Sequence, residues 1–435
     1  TLFTLNNLWM LIATILVFLM HLGFATLESG LARSKNTVNV LFKNVMIVCI
    51  GLLSYAFIGF NLMYPGKAFA GMWFGFSGFG IGIPIDGNTP KYNPNYTYWT
   101  DFIFQAMFAA TCATIISGAV AERVRLESFL LFSMVYVSVV YPIVGMWKWG
   151  GGILESLPTA FYDFAGSSIV HSVGGWGALA GIILLGPRIG KYVQGEVKAI
   201  APHSVPMATL GVFMLWFGWF GFNGGSVLSA NPANLSLVFV TTALAAAAGA
   251  LGAFFCSFFI SKKYDLMMTL NGILGGLVGI TAGADQMGVQ AACQIGLIAG
   301  VLVVVASYAM DKWQLDDPVG AIPVHLVCGI WGTLAVAFWG NKAGWAQLQS
   351  QLIGIGLIAV FTFGSAYALF WIIKRTLGLR VSAAEEIEGL DLHEHGMSAY
   401  GIEVPVSVIT PKATPQPHYE QGQVYGQIGE SSPAF

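Results

Sequence analysis

Apolar residues run along this chain in long blocks separated by short polar breaks, and eleven blocks are long enough to cross a bilayer as helices. A spanning helix needs about 20 apolar residues, because the hydrocarbon layer is about 30 Å thick and the rise about 1.5 Å per residue. The blocks lie at about 5–27, 45–64, 102–121, 129–147, 165–186, 207–227, 235–260, 266–284, 291–310, 319–339 and 349–373. The Gly-, Pro-, Asn- and Tyr-rich stretch 65–100 reads as a loop outside the membrane. Residues 374–435 turn polar and form a tail whose last part reads as disordered. Of the 19 Lys and Arg, 15 fall in the tail and in alternate loops, counting Lys43 with the first of them; Lys67, Lys91, Lys148 and Lys342 lie on the opposite side. The positive-inside rule then puts the N-terminus outside and the tail inside, which an odd number of spans permits.

Composition agrees with an all-α integral membrane protein. Hydrophobic residues make up 56% of the 435 and charged residues 9%, which nearly excludes a water-soluble globule. A formal charge of -2 gives no basic excess for nucleic acid. The 54 glycines have no collagen-like period and suit close-packed membrane helices. Cys49, Cys112, Cys256, Cys293 and Cys328 all sit in apolar runs without a CxxC pair, and read as small core residues rather than metal ligands or a disulfide framework. The chain opens with Thr1, without a basic stretch, short apolar run and cleavage site. The expectation is that any signal peptide has been removed or the chain trimmed.

An internal repeat points to a site. Asp163, Gly166, Val170, His171, Val173 and Gly175 recur at an offset of 154 as Asp317, Gly320, Val324, His325, Val327 and Gly329. These segments open the fifth and tenth spans, so each repeat holds five spans and the second copy is inverted, followed by a final helix. Repeat one covers about 5–186, repeat two about 207–339, and the eleventh helix 349–373. Each His follows its Asp by eight residues, about 12 Å along a helix. Helices entering from opposite faces would therefore bring both imidazoles near the midplane. Ionisable groups there are costly and mark pathways; the alternative is a hydrogen-bonded pair that only packs helices. Asp163 and Asp317 read first as helix-start caps, with a second effect of placing negative charge beside a path.

Aromatic residues collect on the outer half of the same interface. Phe104 and Phe108 are one turn apart on the third span, Trp149 follows the fourth, and the sixth ends in Trp219-Phe-Gly-Phe222-Asn-Gly-Gly-Ser226. Such stripes usually pack or anchor at the interface. The functional alternative is a cation-π cage with one hydroxyl acceptor, suited to a small hydrogen-bonding cation.

Asp163-Phe-Ala-Gly followed by Val170-His171 resembles the signature of the ammonium transporter family (Amt/Mep/Rh), closest to its Amt branch. So do His21-Leu-Gly-Phe-Ala-Thr-Leu-Glu28, Lys35-Asn-Thr-Val-Asn, Gly118-Ala-Val-Ala-Glu-Arg123, Trp219-Phe-Gly-Phe-Asn223 and the acidic run Glu385 to Gly396. The resemblance extends to about Gly401. It implies a non-enzymatic homotrimer in the cell membrane, with one pore per subunit and no cofactor or metal. Phe108, Trp149 and Ser226 match the family's outer ammonium site, with Phe104 on the same face. Asp163 matches the acid near it, Phe108 and Phe222 the stacked gate, and His171 and His325 the twin histidines of the pore. Leu326 departs from the Gly that many members carry after the second His, which touches the packing behind His325.

The resemblance implies recruitment of ammonium, loss of its proton, and conduction of ammonia, with the proton's fate left open. Methylammonium transport or a gas channel of the Rh type are alternatives within the family. An ammonium sensor on the same fold is another, although this tail is too short for a kinase. A bis-histidine haem protein would need a haem-sized cavity between Gly- and Ala-rich helices and would show a Soret band. The acidic tail reads either as a solvated face or, by resemblance, as a segment that docks under the neighbouring subunit and meets a trimeric regulator of the PII type.

Overall fold

The computed structural model describes residues 1–401, so the expected disorder in the last part of the tail lies outside the described residues. The chain is mostly helical. Among the described residues nine helices are long and apolar enough to cross a membrane: α1 (Leu2–Leu31), α2 (Ser34–Met63), α3 (Tyr98–Ala119), α4 (Leu126–Lys148), α5 (Ser167–Leu185), α6 (Val205–Gly225), α7 (Pro232–Ser261), α9 (Val289–Lys312) and α11 (Trp345–Thr376). Two shorter apolar helices, α8 (Leu266–Thr281) and α10 (Ile322–Ala335), fill the remaining expected positions. The tail adds α12 (Ala383–Glu388) and α13 (Leu390–His395), and two-residue hairpins form at 69–75 and 192–197.

Several expectations need correction. The second helix begins at Ser34 instead of near 45, so Lys43 is not a loop charge: it is fully buried within α2 and donates to the Ser117 carbonyl at 2.9 Å. Of the five cysteines only Cys112 and Cys328 are buried; Cys49 is exposed and Cys256 and Cys293 are half-buried, on helix faces turned outward. The eight residues from Asp to His are not one continuous helix. Helical structure begins at Ser167 in one copy and at Ala321–Ile322 in the other, each with a wide π-type turn carrying the histidine.

Glycine lets the helices approach. α1 packs along α6, where a methyl group on Gly211 would lie 2.5 Å from the Leu27 nitrogen. In the α7, α8 and α9 group, one on Gly296 would lie 2.1 Å from the Ala245 carbonyl oxygen. Lipid offers helices no hydrophobic drive to associate, so this backbone proximity is what holds them through dispersion. Pro142 is met differently: a π-type turn at Tyr136–Val140 precedes it, relaxing the helix where proline cannot donate.

At one end of the bundle the basic loops meet the tail. Arg188 is bonded to Asp316 through Nε at 2.8 Å and Nη2 at 2.9 Å, and also pairs with Glu122, which Arg33 contacts in turn. Burial works against the Asp316 charge, but Arg188 and Arg123 hold its carboxyl down to about 2. That pairing stabilises the fold fully above the ordinary carboxylate range, and its contribution is lost progressively as pH falls from that range through about 2. The acidic tail is only partly a solvated face: Glu388 and His393 are exposed, whereas Glu386 and Asp391 are buried. Glu386 is buried between Arg380 (2.7 Å) and the Ile189 amide (2.7 Å), and Asp391 accepts from the Val38 and Asn39 amides at the start of α2. These contacts are with the tail's own Arg380, the loop at Ile189 and the first turns of α2.

The close helix approach yields a paired test. Gly296→Leu should destabilise the detergent-solubilised protein by about 3 kcal/mol, because backbone cannot yield to the new side chain. Gly356→Leu, where an added Cβ meets nothing within 4 Å, should leave the thermal midpoint nearly unchanged. Equal midpoints for the two variants would contradict the packing account.

Candidate functional site

The site is built on the two broken helices. Asp163 Oδ1 accepts from the Gly166 and Ser167 amides at 2.9 and 2.8 Å, and Oδ2 from Ser168 and Ile169 at 2.8 and 2.9 Å. Asp317 repeats the design: Oδ1 takes Val319 (3.3 Å) and Gly320 (3.0 Å), and Oδ2 takes Ile322 (2.7 Å). The carboxylates thus satisfy amides that a helix start leaves without intrahelical partners. The chain folds back over each carboxylate through a left-handed glycine, Gly166 (φ 111°) and Gly320 (φ 77°), a conformation that a side chain would strain.

The two helices then cross with reciprocal contacts. Ser172 sits against Gly329, where a methyl group would lie 2.4 Å from its Oγ, and Leu326 sits against Gly175, where one would lie 2.6 Å from its Cβ. Residues 172 and 326 are repeat equivalents, as are the two glycines. Leu326 is therefore accommodated by the glycine opposite it. This crossing brings His171 Nδ1 to 3.2 Å from His325 Nδ1, with the rings 5.2 Å apart and 20° from parallel. One Nδ1 must carry the proton and the other accept, so the two imidazoles are in different tautomers. His171 is fully buried, and among the described residues its Nε2 has no partner. Trp219 stacks on it at 5.0 Å and is fixed by its indole nitrogen, which donates to Thr281 Oγ1 at 2.9 Å.

Next to His171 stands a pair of rings. Phe222 is 5.3 Å from His171 and stacks on Phe108 at 4.1 Å and 18°. Phe108 also meets Phe104 at 4.7 Å and Trp149, edge-on, at 6.3 Å. Beyond the stack opens a cavity of about 190 Å³, walled by Phe104, Phe108, Trp149 and Ser226 among others. Ser226 Oγ donates to the Phe222 carbonyl at 2.9 Å, which leaves its lone pairs as acceptors. The indole of Trp149 donates to the Asp163 carbonyl at 3.1 Å. Asp163 is 1% exposed and its carboxylate is taken up by the four amides, so it meets the cavity through Trp149.

The sequence reading placed the aromatics of 219–222 on one side. The structure divides them: Phe222 joins the stack, Trp219 covers His171, and Phe220 turns away onto Phe239 at 4.9 Å. It also missed two polar wall residues. Asp101 accepts from the Tyr92 hydroxyl at 2.8 Å, and Gln105 Oε1 is buried without a partner among the described residues. Positions 101, 104, 105 and 108 follow the i, i+3, i+4, i+7 pattern of one helix face, a signal that was available.

The sequence pattern of the Ammonium Transporter Family matches residues 8–400. The protein sll1017 of Synechocystis is 44% identical over 408 residues, covering 92% of this chain and 90% of its own. Ammonium transporter Amt2 of Archaeoglobus fulgidus is 39% identical over 422 residues, covering 90% and 87%. Among solved structures, one named Sensor Amt Protein superposes with a TM-score of 0.84 at 37% identity, covering 90% of this chain and 98% of its own. Candida albicans Mep2 does so at 0.79 and 28%, covering 91% and 90%.

The caps give a prediction independent of any activity. Asp163→Asn replaces an acceptor oxygen with an amino group facing the Ser168 and Ile169 amides, and should cost about 2 kcal/mol in thermal stability. An unchanged melting midpoint would show that the four contacts do not hold the helix start.

Proposed function

This chain belongs to the ammonium transporter family, and on that premise we propose that it recruits ammonium at the aromatic cavity, strips its proton, and conducts ammonia past His171 and His325. The observation that carries this reading is the single file of Phe108, Phe222, His171 and His325, in ring contact from the cavity into the buried core. Trp149 and Phe108 face a cation with π electrons while Ser226 accepts a hydrogen bond, and the Phe108–Phe222 stack closes the way below. Asp163 fixes the helix that carries His171 and orients Trp149.

The energetics favour shedding charge. Moving an intact cation into a dry apolar passage carries an idealised cost of order 20 kcal/mol, reduced to several by relaxation and water. Ammonium, with a solution pKa of about 9, can lose its proton near neutral pH for about 3 kcal/mol, and potassium cannot. The imidazole pair both donates and accepts, so it can hold ammonia or water in file.

As a multi-pass membrane protein the chain is proposed to cross the cell membrane eleven times, α8 and α10 included, with the tail inside. Support comes from Arg33 and Arg188, on two loops assigned to one side, and Arg380 of the tail, which meet in one bonded layer through Glu122, Glu386 and the 187–189 backbone. Two inverted repeats, about 5–186 and 207–339, and a final helix account for the pairing of α1 with α6 and of α5 with α10. A homotrimer coupled through the tail, and a PII-type partner at that face, complete the proposal. The sensor alternative on the same fold is not favoured: one structural neighbour carries that name, and no feature among the described residues adds to it.

Two measurements in liposomes test the reading. Trp149→Leu removes a cation-π contact of about 0.5–2 kcal/mol, so the concentration dependence of ammonium transport should shift while assembly persists; an unchanged curve would remove Trp149 from recruitment. His171→Asp should admit potassium, since a fixed carboxylate stabilises a desolvated cation, whereas His171→Ala should slow ammonium without admitting potassium. If the Asp variant conducts ammonium yet stays closed to potassium, charge shedding at the histidines does not set selectivity.

A further inference from the structure

Glu28 lies in the last turn of α1 and is 1% exposed despite its carboxyl group. One of its oxygens is held: Oε2 accepts from Asn44 Nδ2 and from Ser117 Oγ, both at 2.9 Å. These donors are themselves fixed. Thr114 Oγ1 donates to Asn44 Oδ1 at 2.6 Å, which sets the amide nitrogen toward Glu28, and Lys43 Nζ donates to the Ser117 carbonyl at 2.9 Å. The other oxygen, Oε1, is buried and has no hydrogen-bond partner among the described residues. Folded proteins seldom leave a buried acceptor in that condition, because the lost hydration is not repaid.

The surroundings of Glu28 say what could complete it. Glu28 and His325 share the wall of a small cavity with Phe24, Leu274 and Asn271, about 10 Å³ in volume, the space of a single water-sized molecule. Asn271, Val319 and Gly320 also line a wider cavity of about 220 Å³, which Lys191 and Asp311 border. The two cavities share Asn271, Val319 and Gly320 in their walls, so a route from the histidine pair to the wider cavity by way of the small one would pass Glu28. Most of the small cavity's wall is apolar, so Glu28 offers such a molecule a strong acceptor at a point where few others exist.

We propose that Glu28 forms a second binding site on the pathway, on the opposite side of the histidine pair from the aromatic cavity, and that Oε1 takes an N–H donor the size of ammonia. The proposal rests on the transport reading above. Ammonia and ammonium share this donor chemistry, and ammonium adds charge pairing with the carboxylate. Lys43, fully buried behind Ser117, supplies the counter-charge that lets a carboxylate stay there when the site is empty. Asn44, Ser117 and Thr114 act as positioning residues, holding Oε2 so that Oε1 stays free.

The test uses the full chain in liposomes, with ammonium uptake measured against concentration. Glu28→Gln keeps the size but leaves an amino group where the acceptor stood. Its maximal rate should fall about tenfold, while the apparent affinity, set at the aromatic cavity, stays put. Glu28→Asp retains an acceptor and should lose markedly less. An assembled Gln variant with the wild-type rate, or equal losses in the Gln and Asp variants, overturns the site. No uptake by the wild-type chain overturns the transport reading itself. Because a buried substitution can block assembly, solid-state NMR on the unaltered chain provides a second measurement. With 15N-ammonium and 13C-labelled glutamate, a nitrogen contact to a carboxyl carbon should persist in the presence of an impermeant relaxation agent. A site occupied by water alone gives no such contact, and that result overturns the proposal.

Discussion

Two broken helices carry the histidines, one starting at the fully buried Asp163 and the other at the half-buried Asp317, and the structure depends on how their first amides are satisfied. An amide left unpaired inside an apolar bundle costs several kcal/mol, so non-helical backbone survives there only where protein supplies the partners. Asp163 and Asp317 supply them, with seven amide contacts between them and a left-handed glycine to turn the chain over each carboxylate. The caps fix where each π-type turn starts, and the turns fix where His171 and His325 meet.

The crossing of the two helices shows how a repeat makes a site that neither copy holds alone. Residue 172 needs the glycine at 329, and residue 326 needs the glycine at 175. With both approaches made, the imidazoles are close enough to share one hydrogen bond, and that bond forces unlike tautomers on two residues of like origin. The asymmetry continues outward. On one side His171 meets Trp219 and Phe222; on the other His325 meets Phe24 and the small cavity with Glu28. A duplicated motif has thus come to face two chemically different environments.

The charged layer at the tail end bears on the same helices. Asp316, bonded to Arg188, adjoins Asp317, whose carboxylate starts the helix of His325, and Arg123 donates to the Asp316 carbonyl at 2.8 Å. Arg380 and Glu386 of the tail attach to the residues around Arg188. The docked tail and the second histidine are therefore connected by a continuous set of hydrogen bonds and covalent neighbours.

The apolar periodicity, the repeat offset and the pattern of aromatics by themselves determined the class of protein, the approximate helix positions, the pairing of His171 with His325 and the capping role of the two aspartates. These were legible because each rests on local chemistry: a block long enough to span, a carboxylate a few residues before the amides it serves. Lys43 shows the limit. A lone lysine between apolar stretches reads as a loop charge, and only the packed neighbours that offer it the Ser117 carbonyl could reveal it as buried. Trp219 and Phe220, adjacent in the chain, part onto different faces because helix rotation separates them by about 100°, and the neighbours each one meets come from other helices. The free oxygen of Glu28 is decided the same way. Whether a buried acceptor is satisfied depends on residues 44, 117 and 271 arriving around it, and that is a property of the tertiary structure alone.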